Sequence, residues 1–145
     1  MTKDLQAFFM QNASQPEKVE RVISKRFKDS EGNPIPFEFR AITPSKDAEL
    51  RQKSIVKKPI TQGPRKGQFE QDFQQAKYLN LLTIETIVFP DFKNADLQAS
   101  YGVYGEEDLF NLMLTPAEVS EAHVAAQEAN GYEVSMPDLV EEVKN

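Results

Sequence analysis

In Ile35-Pro36-Phe37-Glu38-Phe39-Arg40-Ala41-Ile42, the apolar residues Ile35, Phe37, Phe39 and Ala41 alternate with Pro36, Glu38 and Arg40. A period of two puts the two sets on opposite faces of a strand, so residues 35–42 read as a half-buried β-strand. Moving towards the N-terminus, residues 18–27 read as its hairpin partner. That strand is more mixed, with Val19, Ile23 and Phe27 on one face beside Arg21 and Lys25. The connecting Asp29-Ser30-Glu31-Gly32-Asn33-Pro34 is dense in turn formers, with Gly32 suited to positive φ. Pro34 and Pro36 have no N–H to give a ladder, which places the start of the second strand at a sheet edge.

Towards the C-terminus the periodicity changes. Thr43 as N-cap, Pro44 at N1 and the early acids Asp47 and Glu49 start a helix expected to reach about Val56. Residues 57–68 read as a flexible loop from their Pro and Gly content. From Asp72 to Phe89 the pattern is apolar nearly all round, with Phe73, Ala76, Leu79, Leu82, Ile84 and Ile87 leaving no polar face. Such a helix is buried from several sides. The β-branched run Thr83 to Val88 keeps a strand ending open, and Pro90 stops either form.

The remainder is helical and acidic. Short helices are expected over Asn94–Tyr101, with Gly102 at an αL position, and over Glu106–Leu114, with three acids near its positive end. Thr115-Pro116-Ala117-Glu118 combines N-cap, N1 proline and capping-box glutamate, starting a helix to Asn130 that closes on Gly131. Val119, Ala122, Ala126 and Ala129 make its narrow packing stripe. Residues 134–145 read as a short C-terminal helix or tail carrying Leu139, Val140 and Val143. At the other end, residues 3–10 make two helical turns capped by Thr2, with Leu5, Phe8 and Phe9 on one stripe. A helix that short is unstable alone in water, so this arm (residues 1–16) must dock on its own core or on a neighbouring subunit. The fold expected is α+β: a small antiparallel hairpin or sheet over about 18–42 packed on a mainly helical body, in a single domain spanning 1–145.

Composition narrows the chemistry. With no cysteine, disulfides, thiolate metal sites and cysteine nucleophiles are excluded. His123 is the single histidine, and it reads as a surface or edge residue of a helix with no triad partner at a suitable spacing. Gly63-Pro64-Arg65-Lys66-Gly67 lacks the ending and spacing of a phosphate loop. Asp29-Ser30-Glu31-Gly32-Asn33 has its glycine two positions early for a calcium loop, with Arg40 where the closing glutamate belongs. The residues thus point to a non-catalytic protein with no cofactor or metal. Met1-Thr2-Lys3-Asp4-Leu5-Gln6 lacks a signal peptide's apolar core, and the most apolar stretch is too short and polar to span a bilayer. A soluble, intracellular protein is expected.

The net charge of −6 hides a split. Residues 1–66 carry 14 basic and 8 acidic side chains, and residues 67–145 carry 3 basic and 15 acidic ones. Lys57, Lys58, Arg65 and Lys66 belong to a run free of acids from Arg51 onward. Three readings of that run stand: a solvated loop, a contact for an acidic protein surface, or a nucleic-acid contact. The last lacks interleaved aromatics and any RNA- or DNA-module pattern. Its acidic second half would also repel a duplex.

Several segments, taken in order, resemble one family. Ile23-Ser24-Lys25-Arg26-Phe27-Lys28-Asp29, Glu31-Gly32 and Pro34-Ile35-Pro36-Phe37 are similar to the opening of the XkdN-like phage tail assembly chaperones. Lys77-Tyr78-Leu79, Pro90, Asp96-Leu97-Gln98, Ser100-Tyr101-Gly102-Val103, Met113-Leu114, Pro116, Glu118 and Asn130-Gly131-Tyr132 continue the pattern. The resemblance covers roughly residues 4–133 and departs at Ala117, where the family has a glycine. It implies a phage or prophage protein of the host cytoplasm, absent from the mature virion. Such a protein would bind and solubilise the tail tape-measure protein and help recruit tail-tube subunits. The resemblance also implies a longer, frameshifted form of the same protein as a partner. From the residues themselves, the partner-binding candidates are Lys57, Lys58, Arg65 and Lys66 and, on the N-terminal arm, Leu5, Phe8 and Phe9. The basic loop meeting the acidic half of the next copy would build homo-oligomers along the client. A structural tail or connector component and a small nucleic-acid-binding regulator are the competing readings, and no membrane role is expected.

Overall fold

The alternating segment forms a strand, but a short one at the centre of its sheet. In the computed structural model, which describes residues 3–132, β2 (Phe37–Phe39) lies between β1 (Val19–Arg21) and β5 (Ile87–Phe89). Both pairings are antiparallel, matching Val19 with Phe39 on one side and Phe39 with Ile87 on the other. The strand is thus central, while its first residue, Phe37, pairs with β1 alone, in keeping with the edge expected at its start from Pro34 and Pro36. Both prolines precede β2, and between them Ile35 gives its N–H to the Phe27 carbonyl at 2.8 Å. Both expected strands are trimmed, 18–27 to β1 and 35–42 to β2. The alternation of exposure runs on to Ile23 and ends where Ser24 is buried beside it. The intervening turn is held by Asp29, whose Oδ1 accepts from the amides of Glu31 and Asn33 at 2.9 Å each. Gly32 supplies the required left-handed residue, φ +86°.

The buried segment divides into both of its alternatives. Helix α2 (Gln75–Thr86) passes directly into β5, which the chain leaves through a cis Phe89–Pro90 bond. Thr83 and Thr86 tolerate helix and burial because their hydroxyls donate to the carbonyls of Leu79 and Leu82, at 2.8 and 2.7 Å. Burial starts only at Tyr78. Phe73 is on a strand and Ala76 is exposed, so the all-round apolar pattern applies to the later part alone. That part is wrapped by two cores. Ile84 and Ile87 enter the main one, with Phe37, Phe39, Phe92, Leu109 and Phe110. Tyr78, Leu81 and Leu82 meet Leu50 of α1 (Pro44–Lys53) in a second. Helix α1 stops at Lys53, short of Val56, because Val56 pairs with Asp72 in a strand.

The C-terminal helices follow their local signals closely. Helix α3 (Ala95–Ser100) is capped by Asn94, whose Oδ1 accepts from the Leu97 amide at 2.9 Å. Helix α4 (Glu106–Met113) buries Leu109, Phe110 and Met113. Helix α5 (Pro116–Ala129) opens with a complete capping box between Thr115 and Glu118. Its small stripe, Ala122, Ala125, Ala126 and Ala129, is buried and lets the helix approach its neighbours closely. His123 is half-buried, at the edge of the helix as its sequence context suggested. It is wedged between α5 and α2, its Nε2 2.8 Å from Asn80 Oδ1 and its ring over Phe110, and burial lowers its pKa. The helix expected within residues 134–145 lies outside the described residues.

Arg26 ties the 22–36 connection to α5. Its guanidinium donates to both carboxylate oxygens of Glu118 and to the Met113 carbonyl. The Arg26 bond, more than any other contact, pulls the Glu118 carboxyl down to about 2. A carboxyl depressed on folding contributes stability that is full above its unfolded pKa and is lost as pH falls towards the folded one. Glu118→Gln is therefore expected to cost about 1–2 kcal/mol near pH 7, a figure discounted for solvent at Arg26. The gap to the parent should close as pH falls from about 4.5 to about 2. Urea unfolding at about pH 7 and about pH 3 reads this directly, and an undiminished gap in acid contradicts the ion-pair account.

Candidate binding surface

Of residues 57–68, read as a loop, 57–59 lie on a strand and 60–68 form the turn that joins it to a second one. β3 (Ile55–Pro59) pairs antiparallel with β4 (Phe69–Phe73) in full register, from Ile55 opposite Phe73 to Pro59 opposite Phe69. The tip is closed by Gly67 N–H to the Ile60 carbonyl at 3.1 Å and Ile60 N–H to the Gln68 carbonyl at 2.9 Å. Gly63 and Gly67 adopt φ of +85° and +91° there, which a side chain would resist. The base is clamped to the body. Gln74 N–H donates to the Ser54 carbonyl at 2.8 Å, and the Phe73 ring packs 5.6 Å from that of Tyr78. Tyr78 is fixed in turn by Arg51 lying 4.3 Å over its ring and by its hydroxyl donating to Asp47. Burial, then Asp47, pushes the Tyr78 hydroxyl up to about 12.

Strand pairing sorts the candidate cations. Lys57 and Lys58 are neighbours on β3 and so point to opposite faces. Lys58 pairs with Asp72 at 2.8 Å, which neutralises part of the run within the hairpin. Arg65 Nε donates to Gln68 at 3.2 Å at the tip, beside Lys66. One face of the ribbon carries Ile55, Lys57 and Pro59 against Phe73, Gln71 and Phe69. Phe69 is 63% exposed on that face. These aromatics escaped the sequence reading, although Phe69-Glu70-Gln71-Asp72-Phe73 has apolar ends at even spacing. The signal is short, and the helical pattern beginning near Asp72 overrides it.

The N-terminal candidates lie elsewhere. Leu5 and Phe8 are on a 3-10 helix (Leu5–Phe8) and Phe9 follows it, so the two α-helical turns expected over 3–10 are replaced by tighter winding. Asp4 caps it, accepting from the Gln6 amide at 2.9 Å, and the expected cap, Thr2, lies outside the described residues. Among the described residues, the arm's hydrogen bonds stay within residues 4–13. Phe8 is 80% exposed and Met10 83%. Docking on the protein's own core is therefore not what this fold shows. No hydrogen bond or ion pair joins this arm to Lys57, Lys58, Arg65 or Lys66 among the described residues.

Residues 5–144 match the family described as phage XkdN-like tail assembly chaperone proteins. The chain belongs to that family. The match runs through the C-terminal residues beyond 133, further than the motif series in the sequence. Two relatives from Bacillus subtilis strain 168, the protein XkdN of the phage-like element PBSX and the uncharacterized protein YqbN, are each 31% identical over 144 residues. Those alignments cover 98% of this chain and 94% and 93% of the two relatives. The crystal structure of YqbN matches the fold with a TM-score of 0.73 at 28% identity, over 92% of this chain and 100% of that one. The α+β architecture is thus that of an XkdN-like chaperone, with two exposed apolar segments, the arm and the hairpin face, projecting from its core. No helix among the described residues is long and apolar enough to cross a membrane.

Proposed function

We propose that this XkdN-like protein is a non-catalytic holdase for the tail tape-measure protein. It keeps that long client soluble in the host cytoplasm while tail-tube subunits assemble around it, and it leaves before the tail is complete. Family membership supports the assembly role. The observation that carries the client-binding reading is the N-terminal arm, where Leu5, Phe8 and Met10 stand 73%, 80% and 83% exposed on a segment with no core of its own. Full burial of an aromatic or large aliphatic side chain contributes about 1.5–3 kcal/mol. A few such side chains, offset by the cost of ordering the arm, give contacts weak enough to be displaced by the tube. The acidic second half of the chain keeps the loaded complex from coalescing. A longer, frameshifted form of the protein, sharing the arm, fits as a second partner.

The test is co-expression with a tape-measure protein of the same phage or prophage, reading how much client is soluble and co-purifies. Phe8→Ser with Phe9→Ser is expected to reduce the co-purified client roughly tenfold, while the chaperone's own thermal midpoint stays unchanged, as it should for exposed positions. A client equally soluble without the chaperone, or fully retained by the arm variant, contradicts the proposal. A structural tail component would remain in purified tails, where this reading expects none.

A further inference from the structure

Strand β4 has an unpaired outer edge. Inside the ribbon, Ile60 N–H reaches the Gln68 carbonyl at 2.9 Å and Gln74 N–H the Ser54 carbonyl at 2.8 Å. Between those pairs the register runs through Lys58–Glu70 and Val56–Asp72, which take the inward hydrogen bonds of an antiparallel ladder. The alternate residues, Phe69, Gln71 and Phe73 on β4 and Ile55, Lys57 and Pro59 on β3, therefore turn their backbone polar groups outward. The two edges differ. Pro59 has no N–H and Lys57 stands at the middle of its strand, so β3 carries the features that blunt an edge. β4 offers three outward donors and three acceptors that have no partner among the described residues. A two-stranded ribbon is marginal alone in water, and an open edge is a template for a third strand.

The side chains along that edge select what can lie beside it. Phe69 and Phe73 share one face and are 63% and 39% exposed. Glu70 and Asp72 share the other. Lys58 pairs with Asp72 at 2.8 Å, and Glu70 makes no ion pair among the described residues. A strand added to β4 thus meets aromatic rings on one face and carboxylates on the other. Its residues must alternate, apolar towards the rings and lysine or arginine towards Glu70 and Asp72. A second copy of β4 does not meet that requirement, because antiparallel pairing of β4 with itself sets acids opposite acids. The net charge of −6 on the whole chain also favours the approach of a basic segment.

We infer that an extended segment of the client, in which basic and apolar residues alternate, adds to the outer edge of β4 as a third strand. Main-chain hydrogen bonds supply the affinity, and the alternation of side chains supplies the choice of segment. This contact rests on the client-binding reading above and adds to it an extended mode of binding, separate from the apolar arm.

Overlapping synthetic peptides covering the tape-measure protein, titrated against the full-length chaperone and followed by NMR hydrogen exchange, test it. Peptides in which lysine or arginine alternates with apolar residues are expected to bind. On binding, the amides of Phe69, Gln71 and Phe73 should exchange about tenfold or more slowly. The amides of Lys58 and Asp72, bonded within the ribbon, should already be slow without peptide. Gln71→Pro removes the central outward donor and none of the ladder bonds, so peptide affinity should fall about tenfold. Lys57→Pro makes the same change on the blunted edge and should leave affinity within about twofold. Glu70→Lys, at an exposed position, should turn the preference towards acidic peptides. The inner amides show whether each variant keeps its ribbon, and slowing of the three outward amides in the parent needs no substitution at all. The inference is overturned if peptides bind without slowing those three amides, or if a folded Gln71→Pro variant binds as the parent does. It is equally overturned if the amides are slow before peptide is added, since another part of the chain or a second copy then covers the edge. If the client co-purifies but no peptide binds, the protein is a holdase whose site lies elsewhere. If no client co-purifies and no peptide binds, neither the holdase role nor this contact survives.

Discussion

Replacing Phe39 with alanine is expected to lower stability by about 3–5 kcal/mol, among the largest effects of any single truncation in this protein. Phe39 has no exposed surface. It sits on the central strand, paired with Val19 of β1 and Ile87 of β5, and its ring stacks on that of Phe37 at 6.4 Å. Truncation removes apolar surface from the main core and leaves a cavity that both neighbouring strands border. Those strands cannot collapse inward without breaking their register, so little of the loss is recovered by relaxation. Against a total stability of about 5–15 kcal/mol for a domain, the variant should be partly unfolded at growth temperature and recovered mainly as aggregate. Phe39→Leu, which keeps most of the volume, should cost less than half as much. Urea unfolding of the three proteins measures both steps, and a loss under about 1 kcal/mol for alanine would show that the strand order described here is wrong.

Asn130→Ala should cost about 2–3 kcal/mol, a large loss for a polar side chain. The Asn130 side chain joins three elements at one point. Its Oδ1 accepts from the Ile42 amide at 2.9 Å, and its Nδ2 donates to Thr86 Oγ1 at 2.9 Å and to the Ala126 carbonyl at 2.8 Å. It therefore ties the approach to α1 and the last residue of α2 to the end of α5. Alanine leaves the Ile42 amide without that acceptor in a half-buried position, where an unpaired donor is costly. Asn130→Asp separates the contributions. It keeps an acceptor for Ile42 but aims a carboxylate at the Ala126 carbonyl, so it should be at least as destabilising near pH 7. In acid the protonated carboxyl can donate one hydrogen bond, and the aspartate variant should recover part of its loss while the alanine variant does not. Chemical unfolding of both variants at about pH 7 and about pH 4 distinguishes these outcomes, and equal behaviour at the two values contradicts the network.

The contrast between those two residues shows where sequence reading succeeds. Phe39 is legible as core from its alternation with Glu38 and Arg40. Helix starts at Thr43, Asn94 and Thr115 are legible because a cap involves only the next three residues. Asn130 reads as an ordinary helix end, since nothing nearby indicates that Ile42 and Thr86 will come within hydrogen-bonding reach. The partner of His123 is hidden for the same reason, Asn80 lying 43 positions earlier. The candidate surface divides likewise. Its charges and the apolar arm residues Leu5, Phe8 and Phe9 are readable. The conversion of residues 57–59 from loop to strand is not, because it depends on β4 supplying the other half of the ladder.

From its sequence alone, this protein was determined to be an α+β chain with a capped helical second half and an uneven charge distribution, its residue order matching the XkdN-like family. These properties are set by interactions between near neighbours or by simple counting. Tertiary structure decided that the strand beginning after Pro36 is central, that α2 serves two cores, and that Lys57 and Lys58 face opposite ways beside an open aromatic surface. Each of these depends on which distant segment arrives as partner, and a strand or a half-buried polar group takes its final environment from that partner.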